Sequence, residues 1–436
     1  MMQQYDSYKD SGVQWLGKIP SHWEIKPGRT IFSENKMKNT ALAEEVVLSL
    51  SYGKIIEKQN KNDGLVPEEY SSYQIIEPGF IIVRCTDLQN DHVSLRTAIS
   101  ELHGIITSAY LALIPNNSIC PKYFHYFFRN WDNTKELYRY GSGLRQSLSW
   151  NDFKYLLCVL PPLSEQSAIA AYLDEQTAKI DTAIAQQQKM IDLLNERKQI
   201  IINRAVTKGL NPNAKMKDSG VEWIGEVPEH WEVNKFRNLF KTRTGITFTK
   251  AQLEEDGEPV ISYGQIHSKD NWGASVNPSL IRHIPASLTK GKEGALAYKG
   301  DFLFADTSED FEGCGNCVCI DTSEPIYAGY HTILAKRDND QHEQYLAYLF
   351  ASSKWRGQLR SMVNGVKVYS VTQSLLRAVI VLLPPKNEQI KISEYITKRV
   401  VLIDTAIKRY AKRIKLLQER KQIIINEVVT GKVKVL

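Results

Sequence analysis

Two stretches of the chain place an apolar residue on every third or fourth position for about nine helical turns. The first runs from Leu160 to Leu210, and the second from Leu383 to Val433. In the first, Leu173, Ile180, Ile184, Ile191, Leu194, Ile201 and Ala205 fall on the a and d positions of a heptad. In the second, Ile396, Val400, Ile403, Ile407, Tyr410, Ile414, Leu417, Ile424 and Val428 do. A proline pair opens each stretch and forbids helix upstream. Ser164 or Asn387 follows as a candidate N-cap, and Glu165 or Glu388 faces the positive end of the helix dipole. No proline or glycine interrupts for about 43 residues, which predicts helices ~65 Å long. A narrow apolar seam on a long helix calls for a partner helix, and each stretch is the other's obvious partner. Lys198 and Lys421 occupy matching a positions, where a lysine either fixes register or snorkels to water.

The two stretches align without a gap at an offset of 223 residues, and Glu196–Asn203 is identical to Glu419–Asn426. A second repeat precedes each. Lys9–Ile25 (KDSGVQWLGKIPSHWEI) returns as Lys217–Val233 (KDSGVEWIGEVPEHWEV). Trp15, Pro20, His22, Trp23 and Glu24 match Trp223, Pro228, His230, Trp231 and Glu232. Glycine, proline and tryptophan at fixed spacing predict a rigid packed turn rather than a histidine ligand site. The chain is therefore a duplication: short motif, variable block, long helix, then the same again.

The variable blocks, Lys26–Val159 and Asn234–Leu382, share landmarks with few residues in common between them. Ser51-Tyr52-Gly53-Lys54-Ile55 matches Ser262-Tyr263-Gly264-Gln265-Ile266. Gly79 and Thr86 match Gly300 and Thr307; Tyr123 and Tyr126 match Tyr345 and Tyr348; Gly143-Leu144-Arg145 matches Gly365-Val366-Lys367. The climbing offset places most of the second block's extra residues between its first two landmarks. Short apolar or alternating runs predict strands at Val46–Ser51, Phe80–Val83, Tyr110–Ile114, Phe302–Phe304 and Thr332–Ala335. One helix with an aromatic face is expected in each block, Pro121–Leu137 and Glu343–Met362. The fold class is α/β (α+β): two mixed globules set on two long helices, in a chain whose length allows two or three domains.

Composition is that of a globular protein, with no apolar run of membrane-spanning length and no charged-then-apolar signal at the N-terminus. A cytoplasmic protein with six reduced cysteines is expected. The net charge is +6, yet Lys386–Lys434 alone carries 13 Lys/Arg against 5 Asp/Glu. The first helix balances, so the rest of the chain is slightly acidic and alone is poorly equipped to hold DNA by counterion release. The basic helix is expected to track phosphates, dock an acidic partner, or simply present a solvated face.

The doubled KDSGVxWxGxxPxHWE motif, the PPxxEQ start of each long helix and the ERKQIIIN run resemble the specificity subunit of type I restriction–modification systems. The resemblance covers nearly the whole chain. It implies a first target-recognition domain at 1–159, a conserved coiled-coil helix at 160–210, a second recognition domain at 211–382 and a second helix at 383–436. Each recognition domain would read one half of an interrupted, asymmetric site in double-stranded DNA. The helices would form an antiparallel coiled coil that spaces the readers and docks two modification (methyltransferase) subunits, which two restriction (translocase/nuclease) subunits can join. The chain itself would be non-catalytic, with S-adenosylmethionine, ATP and Mg on the partner subunits. Half-sites read from one face of B-DNA lie ~34 Å apart, a scale that helices ~65 Å long can span. A coiled-coil scaffold that joins proteins without reading DNA is the alternative.

Candidate DNA contacts are polar residues in loops beside the shared strands. In the first block these are Ser51, Tyr52, Lys54, Arg84, Thr86, Asp87, Gln89, Arg145 and Gln146. In the second they are Tyr263, Gln265, His267, Lys269, Asp306, Thr307, Lys367 and Tyr369. Arg145 and Lys367 stand out, because a basic residue recurs after a matched glycine in otherwise divergent blocks. Enzyme chemistry finds less support. Phe311–Gly315 matches the FxGxG loop that binds S-adenosylmethionine, but that loop needs a following helix and an NPPY-like tetrapeptide, and the tetrapeptide is missing. No GxxxxGK[ST] loop is present to cradle a nucleotide. Cys314, Cys317 and Cys319 crowd together without a second ligand pair for tetrahedral zinc, and only His331 offers a distant fourth ligand, so a strand in an apolar setting is expected there.

Overall fold

The short apolar runs of each variable block pair into one four-stranded antiparallel sheet. The structure, a computed structural model, describes residues 3–58, 69–88, 95–140, 147–222, 224–363 and 368–435. It divides into two units, one of residues 1–188 with 411–436 and the other of residues 189–410. In the first unit the strand order is Phe32–Glu34, Leu111–Pro115, Ile81–Val83, Thr97–Ile99. In the second it is Phe240–Thr244, Thr332–Arg337, Phe302–Ala305, Cys317–Cys319, the same order in the duplicated chain. Strand periodicity sorts the side chains. Ile81 and Val83 enter one core and Ile82 another; Phe302 and Phe304 enter one core and Leu303 another.

The first unit stacks aromatic rings on its sheet. Helix Pro121–Asn133 buries Tyr123, Phe124, Phe127, Phe128 and Trp131, and of these Phe124 and Phe128 meet Phe32 while Phe128 and Trp131 meet Phe153. This helix stops at Asn133 rather than Leu137. Thr134 turns its hydroxyl back to the Asn130 carbonyl, and Lys135 takes φ 63°, which a right-handed helix cannot continue through. The single helix expected over Glu343–Met362 is two, Glu343–Ala351 and Ser353–Met362. Ser352 is extended at the break, and its hydroxyl caps the second helix by accepting from the Trp355 amide.

The shared Ser-Tyr-Gly landmark also takes two forms. In the first unit Leu48–Ser51 and Lys54–Glu57 form a hairpin whose two-residue turn is Tyr52 (φ 47°) and Gly53 (φ 73°). In the second unit Tyr263–Ile266 is one turn of helix, capped reciprocally by Ser262 and Gln265. Strands on both sides of this turn form a second four-stranded sheet, ordered Arg282–Ile284, Glu258–Ile261, Ile326–Ala328, Leu296–Ala297, and two of them, Arg282–Ile284 and Leu296–Ala297, come from the longer segment that follows the turn.

The repeated short motif makes a hairpin and then a second strand pair. Tyr8–Asp10 pairs with Lys18–Pro20, and Glu24–Pro27 with Leu157–Leu160. Met216–Asp218 pairs with Glu226–Pro228, and Glu232–Lys235 with Ile380–Leu383. Trp23 and Trp231 are buried, while Trp223 lies outside the described residues. The motif docks on the first turn of a long helix. Glu165 accepts from Trp23 Nε1 at 2.8 Å and from the Tyr5 hydroxyl at 3.2 Å, and lies 2.6 Å from His22 Nε2. In the second unit Glu388 lies 2.8 Å from His230 Nε2. The next residue, Gln166 or Gln389, is fully buried and donates to the carbonyl of Pro161 or Pro384 at 2.8 Å. Each glutamine also accepts a backbone amide, from Cys120 or His342. The repeated EQ pair is thus the joint between globule and helix.

The long helices run Leu163–Lys208 and Lys386–Val429, and each unit holds half of both, packed antiparallel. In the first unit Leu173 and Ile180 share a core with Ile424 and Val428; in the second Ala205 shares one with Ile392 and Ile396. The buried face is wider than the heptad seam near these ends. Ile202, Val206, Ile425 and Val429 are buried as well, because the globule covers the face beside the partner helix. Tyr123 and Tyr345 mark that junction: the first donates to the Val159 and Val429 carbonyls, the second to those of Leu382 and Val206.

Lys198 and Lys421 neither fill the seam nor run out to water. Lys198 donates to Asp404 at 2.9 Å within the second unit, and Lys421 to Asp181 at 2.6 Å within the first. These are the same pair in the duplicated chain, the ERKQ lysine of one helix against the IDTAI aspartate of the other. Lys198→Glu is expected to destabilise the second unit by about 1 kcal/mol, since the pair is only partly buried. Adding Asp404→Lys should restore that stability in urea melts.

Candidate nucleic-acid interface

In the first unit the candidate residues fall at two places. Ser51, Tyr52 and Lys54 sit at the hairpin tip, where Tyr52 is 92% exposed. A bulky residue at positive φ in a tight turn is strained. Gly53 beside it takes the second positive φ and lies against Leu95, which a Cβ would approach at 3.2 Å. Arg84, Thr86 and Asp87 form the loop after the central strand, partly buried. Sequence reasoning missed what holds this loop. Arg96 is fully buried and donates to the carbonyls of Arg84 at 3.2 Å, Thr86 at 2.7 Å and Asp87 at 3.0 Å. Its Nε donates to the Tyr138 hydroxyl at 2.9 Å, and its backbone N–H donates to Asp132 at 2.9 Å. Burial pushes the Asp132 carboxyl above the usual range, partly offset by the Arg96 amide. Cys85, enclosed in the same loop, has its thiol pushed up to about 12 by burial. Gln89, Arg145 and Gln146 lie outside the described residues.

The second unit gathers more of its candidates. His267 Nε2 lies 2.8 Å from the Thr307 carbonyl, and the Thr307 hydroxyl donates to Asp306 at 2.7 Å. Tyr369 reaches this edge because strand Tyr369–Ser370 pairs with Thr307–Ser308. Tyr263 stacks edge-on against His267 and against His331, at ring distances of 6.3 and 5.5 Å. His331 takes φ 54° and lies 2.9 Å from Asp306, and the Tyr330 ring packs on it at 4.0 Å. Tyr330 and His331 were not among the sequence candidates for contact; the signal was the Gly329-Tyr330-His331 turn directly before a strand. A concave site of about 550 Å³ opens beside the cluster, lined by Tyr263, His267, Asp310, Glu312 and Asn316. Gln265 is turned inward as a capping residue, Lys269 is exposed on the following turn, and Lys367 lies outside the described residues.

Gly313 and Gly315 lie in the turn before strand Cys317–Cys319, where a nucleotide-type loop would lead into a helix. Cys314, Cys317 and Cys319 are buried in apolar surroundings that raise their thiols, Cys317 to about 12. Among the described residues no cluster of three His, Cys, Asp or Glu is placed to hold a metal. No described helix is long and apolar enough to cross a membrane.

The long helices carry exposed apolar residues at matched positions. Leu193 and Ile200 are 47% and 57% exposed in the second unit, and Leu416 and Ile423 are each 54% exposed in the first. Beside Ile200 the second unit has a concave site of about 520 Å³, lined by Arg204, Lys208, Leu210, Met216 and Tyr395 among others.

Known proteins resemble this chain in sequence and in fold. Residues 228–416 match the family described as Type I restriction modification DNA specificity domain. The chain is 26% identical to a protein of Methanocaldococcus jannaschii named as a type I restriction enzyme MjaX specificity subunit, over 96% of each chain. It is 24% identical to the type I restriction enzyme MjaVIII specificity subunit of the same organism, over 76% of this chain and 75% of that one. A chain solved in work on complex assembly and conformational transition of the type I R-M system shares the fold. Its TM-score is 0.67 at 16% identity, over 94% of this chain and 98% of that chain.

Proposed function

We infer that this chain belongs to the type I restriction modification DNA specificity family and is the sequence-reading subunit of a type I restriction–modification enzyme, a reading supported by the family match over residues 228–416 and by the 26% identical relative. Residues 1–159 and 211–382 are the two target-recognition domains, and each reads one half of a bipartite, asymmetric site in double-stranded DNA. The observation that carries this reading is one frame with two unlike tips. The same four-strand sheet stands in both units. On it the first unit sets a projecting Tyr52 hairpin, and the second a Tyr263–His267–His331 cluster. Equal frames with unequal edges suit two different half-sites. Sequence is read through base edges, with phosphate contacts setting register.

The helices at 160–210 and 383–436 act as spacer and as the docking surface for two modification (methyltransferase) subunits. Support comes from the apolar residues left exposed at matched positions, Ile200 with Ile423 and Leu193 with Leu416. A surface presented twice fits two copies of one partner. Two restriction (translocase/nuclease) subunits complete the assembly. The chain positions chemistry and performs none: S-adenosylmethionine, ATP and Mg belong to the partner subunits, and the complex works in the cytoplasm. Mixed with its methyltransferase partner, the chain is expected to shift a duplex sequence-selectively in a gel. Assembly of the two proteins with equal affinity for every duplex would leave a scaffold and remove the reader.

A further inference from the structure

In the first unit a cleft of about 360 Å³ opens where helix Pro121–Asn133 faces the two long helices. Its polar lining is Arg129, Asn133, Asp181, Gln418, Lys421 and Gln422. Lys421 and Asp181 face each other at 2.6 Å through both carboxylate oxygens, so their charges cancel. Arg129 is left over: among the described residues no carboxylate pairs with it. The Lys421 ammonium is held below the usual lysine range, chiefly by burial, with Arg129 and Lys54 adding to the effect. Two cations, Arg129 and Lys421, thus line a cleft that holds one carboxylate, and three side-chain amides stand ready to donate.

Such a site favours a compact anion rich in acceptor oxygens. Its neighbour indicates which one. Leu95 lines the cleft and also supports Gly53, the turn residue beside the projecting Tyr52. A ligand in the cleft therefore lies next to whatever the hairpin touches. We propose that the cleft seats one backbone phosphate of the half-site read by the first recognition domain. Arg129 is its ligand, and Lys421, Gln418 and Gln422 complete the seat. The inference rests on the DNA-reading function proposed above. The second unit keeps the Lys198–Asp404 pair but has Ala351 and Trp355 at the positions matching Arg129 and Asn133. The anchor therefore belongs to one half-site only.

The test uses the full chain with its modification subunit, on two duplexes: one carrying the motif methylated in the host, and one of unrelated sequence. Binding is measured across a salt series. Arg129→Gln is expected to flatten the slope of log K against log salt by about 0.9 and to weaken binding roughly eight-fold at 0.1 M salt. Both duplexes should lose equally, because phosphate contact is blind to sequence. Arg129→Lys should keep the slope. Ethylating single phosphates should block the wild-type complex at one position that Arg129→Gln no longer senses. An unchanged slope with selective binding intact would overturn the phosphate seat and leave the reader standing. Loss confined to the cognate duplex would also overturn it, in favour of base contact. A wild-type complex that binds neither duplex would remove the DNA-reading function, and the seat with it.

Discussion

Arg96→Ala is expected to cost the first unit about 4 kcal/mol and to abolish selective DNA binding. The side chain is fully buried and satisfies three backbone carbonyls and the Tyr138 hydroxyl. Hydrogen bonds from a charged donor contribute about 1.5–3 kcal/mol each, and buried carbonyls left without a donor add a desolvation cost. The loss falls on Arg84, Thr86 and Asp87, the loop proposed to face DNA, so fold and recognition fail together. Arg96→Lys should recover little, since one ammonium cannot span carbonyls that the guanidinium fork reaches at once. Urea melts read the stability, and gel shifts with the modification subunit read the binding. A melt within 1 kcal/mol of wild type would contradict the proposed anchoring.

The second large effect separates stability from recognition. Tyr52 sits at φ 47° in a turn that asparagine or glycine adopts without strain. A bulky residue held there stores roughly 1–3 kcal/mol, which tends to persist where function needs it. Tyr52→Asn should therefore stabilise the first unit by about 1 kcal/mol. The same change should weaken DNA binding by about 1–3 kcal/mol, the size of one lost base-pair contact in a groove. That is roughly five-fold to 150-fold. Tyr52→Phe keeps the ring and should bind like wild type. Should Tyr52→Asn gain stability and bind unchanged, the exposed ring would have no part in recognition.

Much of the frame was legible because it follows from periodicity. The a and d residues of both helices, the buried strands around Ile82 and Leu303 and the aromatic helix at Pro121 all announce themselves by spacing. Pairwise features did not. The a-position lysines gave no hint of Asp181 and Asp404, because a heptad shows which face is covered and not which residue of the partner lies opposite. Glu165 was read as a dipole-facing residue, whereas its partners His22 and Trp23 lie far away in sequence. Likewise the Ser-Tyr-Gly landmark recurs in sequence but is a hairpin turn once and a helical turn once. The residues that follow decide which, with Gln265 able to cap a helix and Lys54 not. Arg96 was invisible among polar loop residues, since burial of an arginine depends on carbonyls gathered by the tertiary fold.

The central claim, that this chain chooses the DNA sequence, is tested most directly by mapping methylated bases across the genome of a clean host. The host expresses the modification subunit with or without this chain. The account predicts methylation of one split, asymmetric motif that appears only when the chain is present, its two unlike halves giving the two half-sites and the gap giving the spacer. A map that is identical with and without the chain, while the modification subunit is shown to be expressed and assembled with it, would contradict the account.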